Sequence, residues 1–576
     1  MTDLRCTRRH LIRTAAGVAG AAAVEAALPP HARWLSRALA ASGPPIRKPD
    51  SLPDPSRPAG EPTAALPFDH IVMVMQENHS FDNYFGMLPR RGQPLADGFT
   101  FDAHGTPINS NPYKGGIARV LHAPSECQPY NVNQSWNYTH EEIDHGRMDG
   151  FAQTVPGQMY YYDQADIPFY YSLANTFTLA NRWFCSAPCQ TFPNRRFYLC
   201  GTAFGLISTD LSSVFESPPN GTIVDRLNRY GISWADYFVD VPATGTIAEI
   251  PERNPQNMLP IARFFADCAA GTLPQVAWVS SEIGVLNDLG SDLANAIPIG
   301  NGVGNYTAAQ DQDEENPADI QQGESFVESV AKAVIRSPAW PRTLFIWLYD
   351  EHGGYYDHVP PPAAIPPDDI KPKLGAHDFP GGYDIYGPRV PAVVASPYSR
   401  PHGVSDTVCD HTSVLATIEA KWNLPACTYR DANANTVASF LDTSKPALLE
   451  PPALASSGDL TEGERHCDTS DPTLQVLPTP HGRIRLKWLG RSRPLQGLVV
   501  ELSLASGSLS DVRLELRRGR RVLAEAIVGH LGTQRKRAVL HELHHHRGHL
   551  VPSGRYTLVL VAQGKTLLRR SVRVPR

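Results

Sequence analysis

Short apolar runs alternate with helix-like stretches through residues 68–440 of this 576-residue chain, and that alternation limits the fold more than any other feature. The run at 68–75 reads FDHIVMVM, and comparable runs stand at 275–279, 344–349 and 390–395. They are short and apolar on both faces, the pattern of strands covered on both sides. Segments 323–336 and 411–422 carry helical spacing. Buried strands alternating with helices predict an α/β domain with a mostly parallel sheet. A hydrophobic content of 42% is ample for its core, and the 52 prolines and 44 glycines predict many loops, some carrying function.

The two ends have a different character. Residues 7–13 read TRRHLIR and precede a weakly apolar, alanine-rich run at 14–28, too short and mild to span a bilayer. This resembles a bacterial twin-arginine export signal, which makes 1–40 a signal peptide with Ala38-Leu39-Ala40 as its small-residue cleavage site. The expected location is then periplasmic or secreted. Seven prolines within 41–66 predict an extended leader, and the catalytic domain is expected over 67–446. No other segment is long and apolar enough to cross a membrane.

A Pro-, Ser- and Gly-rich linker covers 447–472. Beyond it, short alternating runs at 484–488, 498–504, 512–516, 522–527 and 556–561 predict a small antiparallel β-sandwich over 473–576. That stretch holds 20 Lys+Arg against 5 Asp+Glu, whereas the rest holds 32 against 53. Such asymmetry suits a tail unit that meets an anionic membrane or envelope surface. No nucleic-acid partner is expected. Of nine cysteines, Cys6 would leave with the signal, and export permits disulfides among the other eight. Cys185 and Cys189 lack a matching second pair for zinc and read as a disulfide or as buried thiols.

Candidate chemistry gathers where strands end. Glu77-Asn78 follow the first apolar run, and Asp350-Glu351 follow the run at 344–349. Ligand sites in parallel sheets lie beyond the carboxyl ends of strands. Adjacent acids there are costly to desolvate without a cation. Glu, Asn, Asp and Glu are hard oxygen donors, which suits Ca²⁺, Mg²⁺ or Mn²⁺ and leaves Zn²⁺ open. Thr191 stands two residues before Pro193, which favours a first helical turn. It reads either as a helix N-cap or as a metal-bound nucleophile, with Asn194 and Arg195 beside it to hold phosphoryl oxygens. Proton transfer would fall to His352, then His140, then His411.

These segments resemble known motifs. ENHSFDNYFG, TFPNR and YDEHGGYYDHVPPP are similar to the three motifs of the bacterial phospholipase C and acid phosphatase phosphoesterase family, shared with plant non-specific phospholipases C. GRMDGF at 146–151 and SPAW at 337–340 extend the likeness. The resemblance implies an alkaline-phosphatase-like α/β/α core, one divalent metal on Glu77, Asn78, Thr191, Asp350 and Glu351, and a Thr191 phospho-enzyme. In one segment the chain departs from the family. At Asp313-Glu314-Glu315-Asn316-Pro317 the family often places a histidine where Asn316 stands, and an amide can hold a phosphoryl oxygen but is no acid.

The expected function is therefore phospholipase C action on a phosphatidylcholine-like diester. Trp136, Tyr138, Tyr160, Tyr161 and Tyr162 are the aromatic faces that could hold a choline cation, or that could simply pack in the core. Acid phosphatase action on monoesters is the alternative within the enzyme class. A lipid- or surface-binding protein on a degenerate phosphatase fold is the alternative outside it. His541-Glu542-Leu543-His544-His545 matches H-E-x-x-H, but strand-like runs flank it, and zinc-protease chemistry needs a helix.

Overall fold

The computed structural model describes residues 46–113, 115–127, 132–153, 156–281, 312–316, 318–457, 476–478, 484–492, 497–505, 509–519, 521–531, 534–542, 551–562 and 565–574. The expected export signal at 1–40 lies outside the described residues. The chain forms two compact units. One takes in Met1–Pro107, Leu121–Phe151 and Gly157–Asp471; the other takes in Ile108–Val120, Ala152–Pro156 and Pro472–Arg576.

The first unit is built on an eight-stranded sheet. In spatial order its strands are Val404–Ser405, Thr178–Ala180, Ala392–Ala395, Thr343–Tyr349, His70–Gln76, Val276–Ser280, Trp234–Phe238 and Met258–Pro260. All neighbours run parallel except Ala392–Ala395, which is antiparallel to both of its partners. The sheet is thus mixed, with the first strand inside its parallel half. Every residue of Thr343–Tyr349 is buried, which is why its sequence is continuously apolar and not alternating. The helices Ile320–Arg336 and Thr412–Trp422 fall where the spacing placed them.

Residues 46–66 carry no helix or strand, yet they belong to the folded body. Asp50 N donates to Ala426 O (2.9 Å) and Ala426 N to Ser51 O (3.2 Å). The Asn423 side chain accepts from Asp54 N and donates to the carbonyls of Asp54, Arg57 and Pro58. Prolines leave carbonyls without matching N–H groups, and one buried amide collects them.

In the second unit seven strands form one antiparallel sheet, in the order Ile484–Ser492, Gly497–Leu504, Lys536–Glu542, Arg521–Leu531, Leu509–Arg518, Gly554–Ala562 and Lys565–Val574. The two layers expected of a sandwich arise from this one sheet folding over. Leu498, Val500, Leu514, Leu540, Leu558 and Val574 share one core, and Trp488 Nε1 on one edge strand donates to Arg573 O on the other. The boundaries are not continuous in sequence. Val476–Pro478 pairs with Gly116–Arg119, which pairs in turn with Ser110–Tyr113, so a hairpin from far upstream belongs to this unit. His541 and Glu542 lie on a strand, not a helix; 543–550 lie outside the described residues. Among the described residues, no helix is long and apolar enough to cross a membrane.

Candidate active site

Strand register assembles the site. Gln76 stands opposite Tyr349 on adjacent parallel strands, so Glu77-Asn78 and Asp350-Glu351 leave the sheet side by side. All four are buried. Asp350 Oδ1 accepts from Asn78 N (3.2 Å) and Glu351 N (2.6 Å), and Glu351 Oε2 accepts from Gly353 N (2.8 Å). Asn78 takes a left-handed φ of 68°, which asparagine tolerates better than most residues. Gly353 also has positive φ (65°), and a Cβ there would lie 1.8 Å from Asn78 O. The two motifs therefore meet at a contact that admits only glycine.

The helix Thr191–Cys200 closes the site. Gln190 is its N-cap and Thr191 its first helical residue, so Thr191 does not cap it. Arg195 lies one turn on, hence on the same face. Its Nη2 meets Glu77 Oε1 at 3.0 Å and its Nε meets Asp350 Oδ2 at 3.2 Å. Arg195 is thus held on carboxylates, not left free for phosphate. Asn194 is directed elsewhere. Its Oδ1 accepts from Ala187 N (3.0 Å), and its Nδ2 faces the carbonyls of Ala187, Cys189 and Gln190. It shapes the loop that delivers Thr191, and the expected phosphoryl contact is not available to it.

Two further acids enter. Glu77, Asp313 and Glu315 offer ligand oxygens within 4.8 Å of one another, and Glu77 N donates to Asp313 O. Of these five carboxyls, Arg195 reaches Glu77 and Asp350. Burial pushes Glu77 up to about 8, and Asp350 and Glu315 to about 7. Burial, with Asp350 adjoining, raises Glu351 well above the carboxylate range. Burial works against the charge on Arg195, but Glu77 and Asp350 more than restore it. Asn78 Oδ1 and Glu351 Oε1 are buried and accept no hydrogen bond among the described residues. Orphaned oxygens amid uncompensated negative charge fit a hard divalent cation.

The three histidines differ in place. His352 is buried with Nε2 at 2.9 Å from Glu142 Oε2 and Nδ1 at 3.2 Å from Glu351 Oε2. Gln158 Nε2 donates to the other oxygen of Glu142 (2.7 Å), and burial pushes that carboxyl up to about 7 despite His352. His352 thus links the acidic cluster to a second carboxyl. His411 Nε2 donates to Asp350 O (2.6 Å), and its Nδ1 receives Trp183 Nε1. Burial lowers it to about 4, so it is a neutral support for the strand end and not the expected proton donor. His140 Nδ1 bonds Trp136 O (2.6 Å), and its ring lies between Trp136 and Phe379.

Asn316 exchanges hydrogen bonds with the Tyr355 hydroxyl (2.8 and 3.0 Å). Trp136, Tyr160 and Tyr162 are buried, while Tyr138 and Tyr161 stay partly exposed. Cys127 is disulfide-bonded, and Cys185 and Cys189 are free, buried thiols. Sequence reasoning missed Glu315, Asp313 and Glu142. The acid-rich DEEN segment was a usable signal for the first two; Glu142 offered none.

Known proteins match this chain over more than half of its length. The chain is 29% identical over 406 residues to non-specific phospholipase C1 of Arabidopsis thaliana, covering 65% of this chain and 71% of that one. It is 29% identical over 443 residues to phospholipase C A of Mycobacterium tuberculosis, covering 67% and 79%. A solved structure, a protein in the alkaline phosphatase superfamily from Vibrio parahaemolyticus, aligns at 9% identity with a TM-score of 0.28 over 80% of this chain and 91% of that chain. That structural likeness is too slight to argue from. The model of the Phosphoesterase family matches residues 68–425, and with more than half of its length matched the chain belongs to that family.

Proposed function

We propose that this chain is an exported phospholipase C that cuts phosphatidylcholine-like diesters on the glycerol side of the phosphate. The observation that carries the reading is the strand register that brings Glu77-Asn78 and Asp350-Glu351 together under the Thr191 helix. Two relatives named phospholipase C support the substrate class. A divalent cation on Glu77, Asn78, Asp350, Glu351 and the Thr191 oxygen would polarise the phosphoryl group and favour the alkoxide form of Thr191. Thr191 Oγ1 then attacks phosphorus, and the bond to the diacylglycerol oxygen breaks. His352, which lies between Glu142 and Glu351, would pass the leaving oxygen its proton. Water resolves the phospho-threonine and releases the phosphorylated headgroup.

Purified protein loaded with metal should release phosphocholine from phosphatidylcholine faster than phosphate from an aryl monoester. Thr191→Ala should lower the rate on the order of 10⁴-fold without moving the unfolding temperature. The reverse substrate ranking would make the chain a monoesterase. Vesicle binding with no turnover on either substrate would make it a binding protein.

We also propose that the basic second unit docks on anionic membranes. Arg569 and Arg573 are exposed on one of its edge strands. Reversing both to Glu should release the chain from anionic vesicles at low salt. Unchanged co-sedimentation would end that idea.

A further inference from the structure

Away from the acidic site, Glu419, Cys427 and Asp431 converge in the interior of the first unit. Glu419 lies on the Thr412–Trp422 helix, Asp431 on the short helix Tyr429–Ala432, and Cys427 on the loop between them. All three are fully buried, and one ligand atom from each lies within 4.8 Å of the others.

Their hydrogen bonding is one-sided. Asp431 accepts from Cys427 N (2.5 Å), from Thr428 N (2.7 Å) and from the Thr428 hydroxyl. Among the described residues, no N–H or hydroxyl donates to either oxygen of Glu419, whose polar neighbour is the Asp431 carboxyl. The nearby guanidiniums do not supply a hydrogen bond. Arg226 is directed to the carbonyls of Asn220, Thr222, Pro425 and Ala426 and to Asp50, and Arg47 to those of Ala432 and Ser51. A buried carboxyl with no such donor, beside a second carboxyl, is costly, and a cation between them removes the cost.

We infer that Glu419, Cys427 and Asp431 form a second, structural site for a borderline-soft divalent cation of the zinc type. The donor set decides the class. A thiolate with two carboxylates suits zinc, whereas the oxygen-only catalytic cluster suits harder ions. Cys200 lies next in sequence to a residue packed on Asp431, with its thiol directed to Arg196 O and Thr202 O. It adjoins Gly201, where a Cβ would lie 2.5 Å from Asp431 Oδ1. The site locks together the helix, the loop and the short helix to which residues 47–58 are hydrogen-bonded. Metal there fixes the platform that holds the N-terminal segment.

The test uses cobalt as probe in the full chain, produced in cobalt-supplemented medium. A thiolate-to-cobalt charge-transfer band should appear in the near ultraviolet. The residues proposed to hold the catalytic metal are oxygen donors, so loss of the band in Cys427→Ser assigns it to this site. Cys427→Ser should abolish the band and remove about one cobalt per chain, with the catalytic metal retained. Because Cys427→Ser is nearly isosteric, a retained unfolding profile shows that the loss is not misfolding. A protein with no band at saturating cobalt, or a band that survives Cys427→Ser, overturns the inference. So does an infrared carbonyl stretch of a protonated carboxyl that vanishes in Glu419→Gln, because a proton would then hold the pair together.

Discussion

Two buried acidic clusters grow from the same pair of motifs, and they are balanced in opposite ways. In one, Asp82 and Asp357 share Arg389, whose Nη2 meets Asp82 Oδ1 at 3.1 Å and whose Nε meets Asp357 Oδ1 at 3.0 Å. His358 Nδ1 adds a second bond to Asp82 at 2.6 Å. Two buried acids thus meet two cationic partners. In the other, Arg195 reaches Glu77 and Asp350 and His352 lies 3.2 Å from Glu351, while Asp313 and Glu315 crowd the same corner. Acids alone do not mark a site here, since both clusters are acidic, buried and near the same strand ends. Uncompensated charge does. The first cluster holds the motif loops in place, and the second holds negative charge ready for a cation.

Breaking the balanced cluster should have the largest effect on stability. Arg389→Met leaves two carboxylates buried without a partner and should destabilise the fold by about 3–5 kcal/mol in urea unfolding. A loss below about 1 kcal/mol would show that the network is dispensable.

A smaller effect follows from pH. Burial works against the charged His358 ring, but Asp82 and Asp97 raise it to about 10. Its folded value exceeds the unfolded one, so its contribution is complete below about pH 6.5 and is lost as pH rises to 10. Its ring is partly exposed, and the span should be on the order of 2 kcal/mol. The unfolding midpoint of the wild type should fall across that window, and that of His358→Gln should stay flatter.

The smallest effect has the opposite sign. In metal-free protein Glu351→Gln removes a carboxyl that burial, with Asp350 adjoining, holds well above the carboxylate range, and should stabilise the fold by about 1 kcal/mol near neutral pH, while turnover with metal collapses. The same change in the balanced cluster, Asp357→Asn, should destabilise. If both variants moved the unfolding midpoint in the same direction, the contrast between the clusters would fail.

What was legible in the sequence followed from burial on two sides. His70–Gln76 and Thr343–Tyr349 read as strands because no residue in them faces water, and their ends located both acid pairs. Lys536–Glu542 and Lys565–Val574 did not read as strands, because each gives only a few residues, Ala538 and Leu540 or Val572 and Val574, to the core. Tertiary partners were the least legible. His411 looks like a proton donor until Trp183 and Asp350 O are seen on its two nitrogens. Glu314 lies among other acids in sequence, yet Tyr84, Tyr170 and Tyr349 all direct hydroxyls at it from three separate segments. Glu315, one residue on, joins the site instead.

The hairpin at Ser110–Tyr113 and Gly116–Arg119 bears on how the chain is made. Its third strand, Val476–Pro478, emerges only after the whole first unit has been synthesised. Until then one edge of the hairpin is bare, and bare edges recruit other chains. A shortened version ending at Asp471 would keep that edge open permanently. Anyone wanting the catalytic unit by itself should excise residues 110–119 as well, or place lysines along that edge.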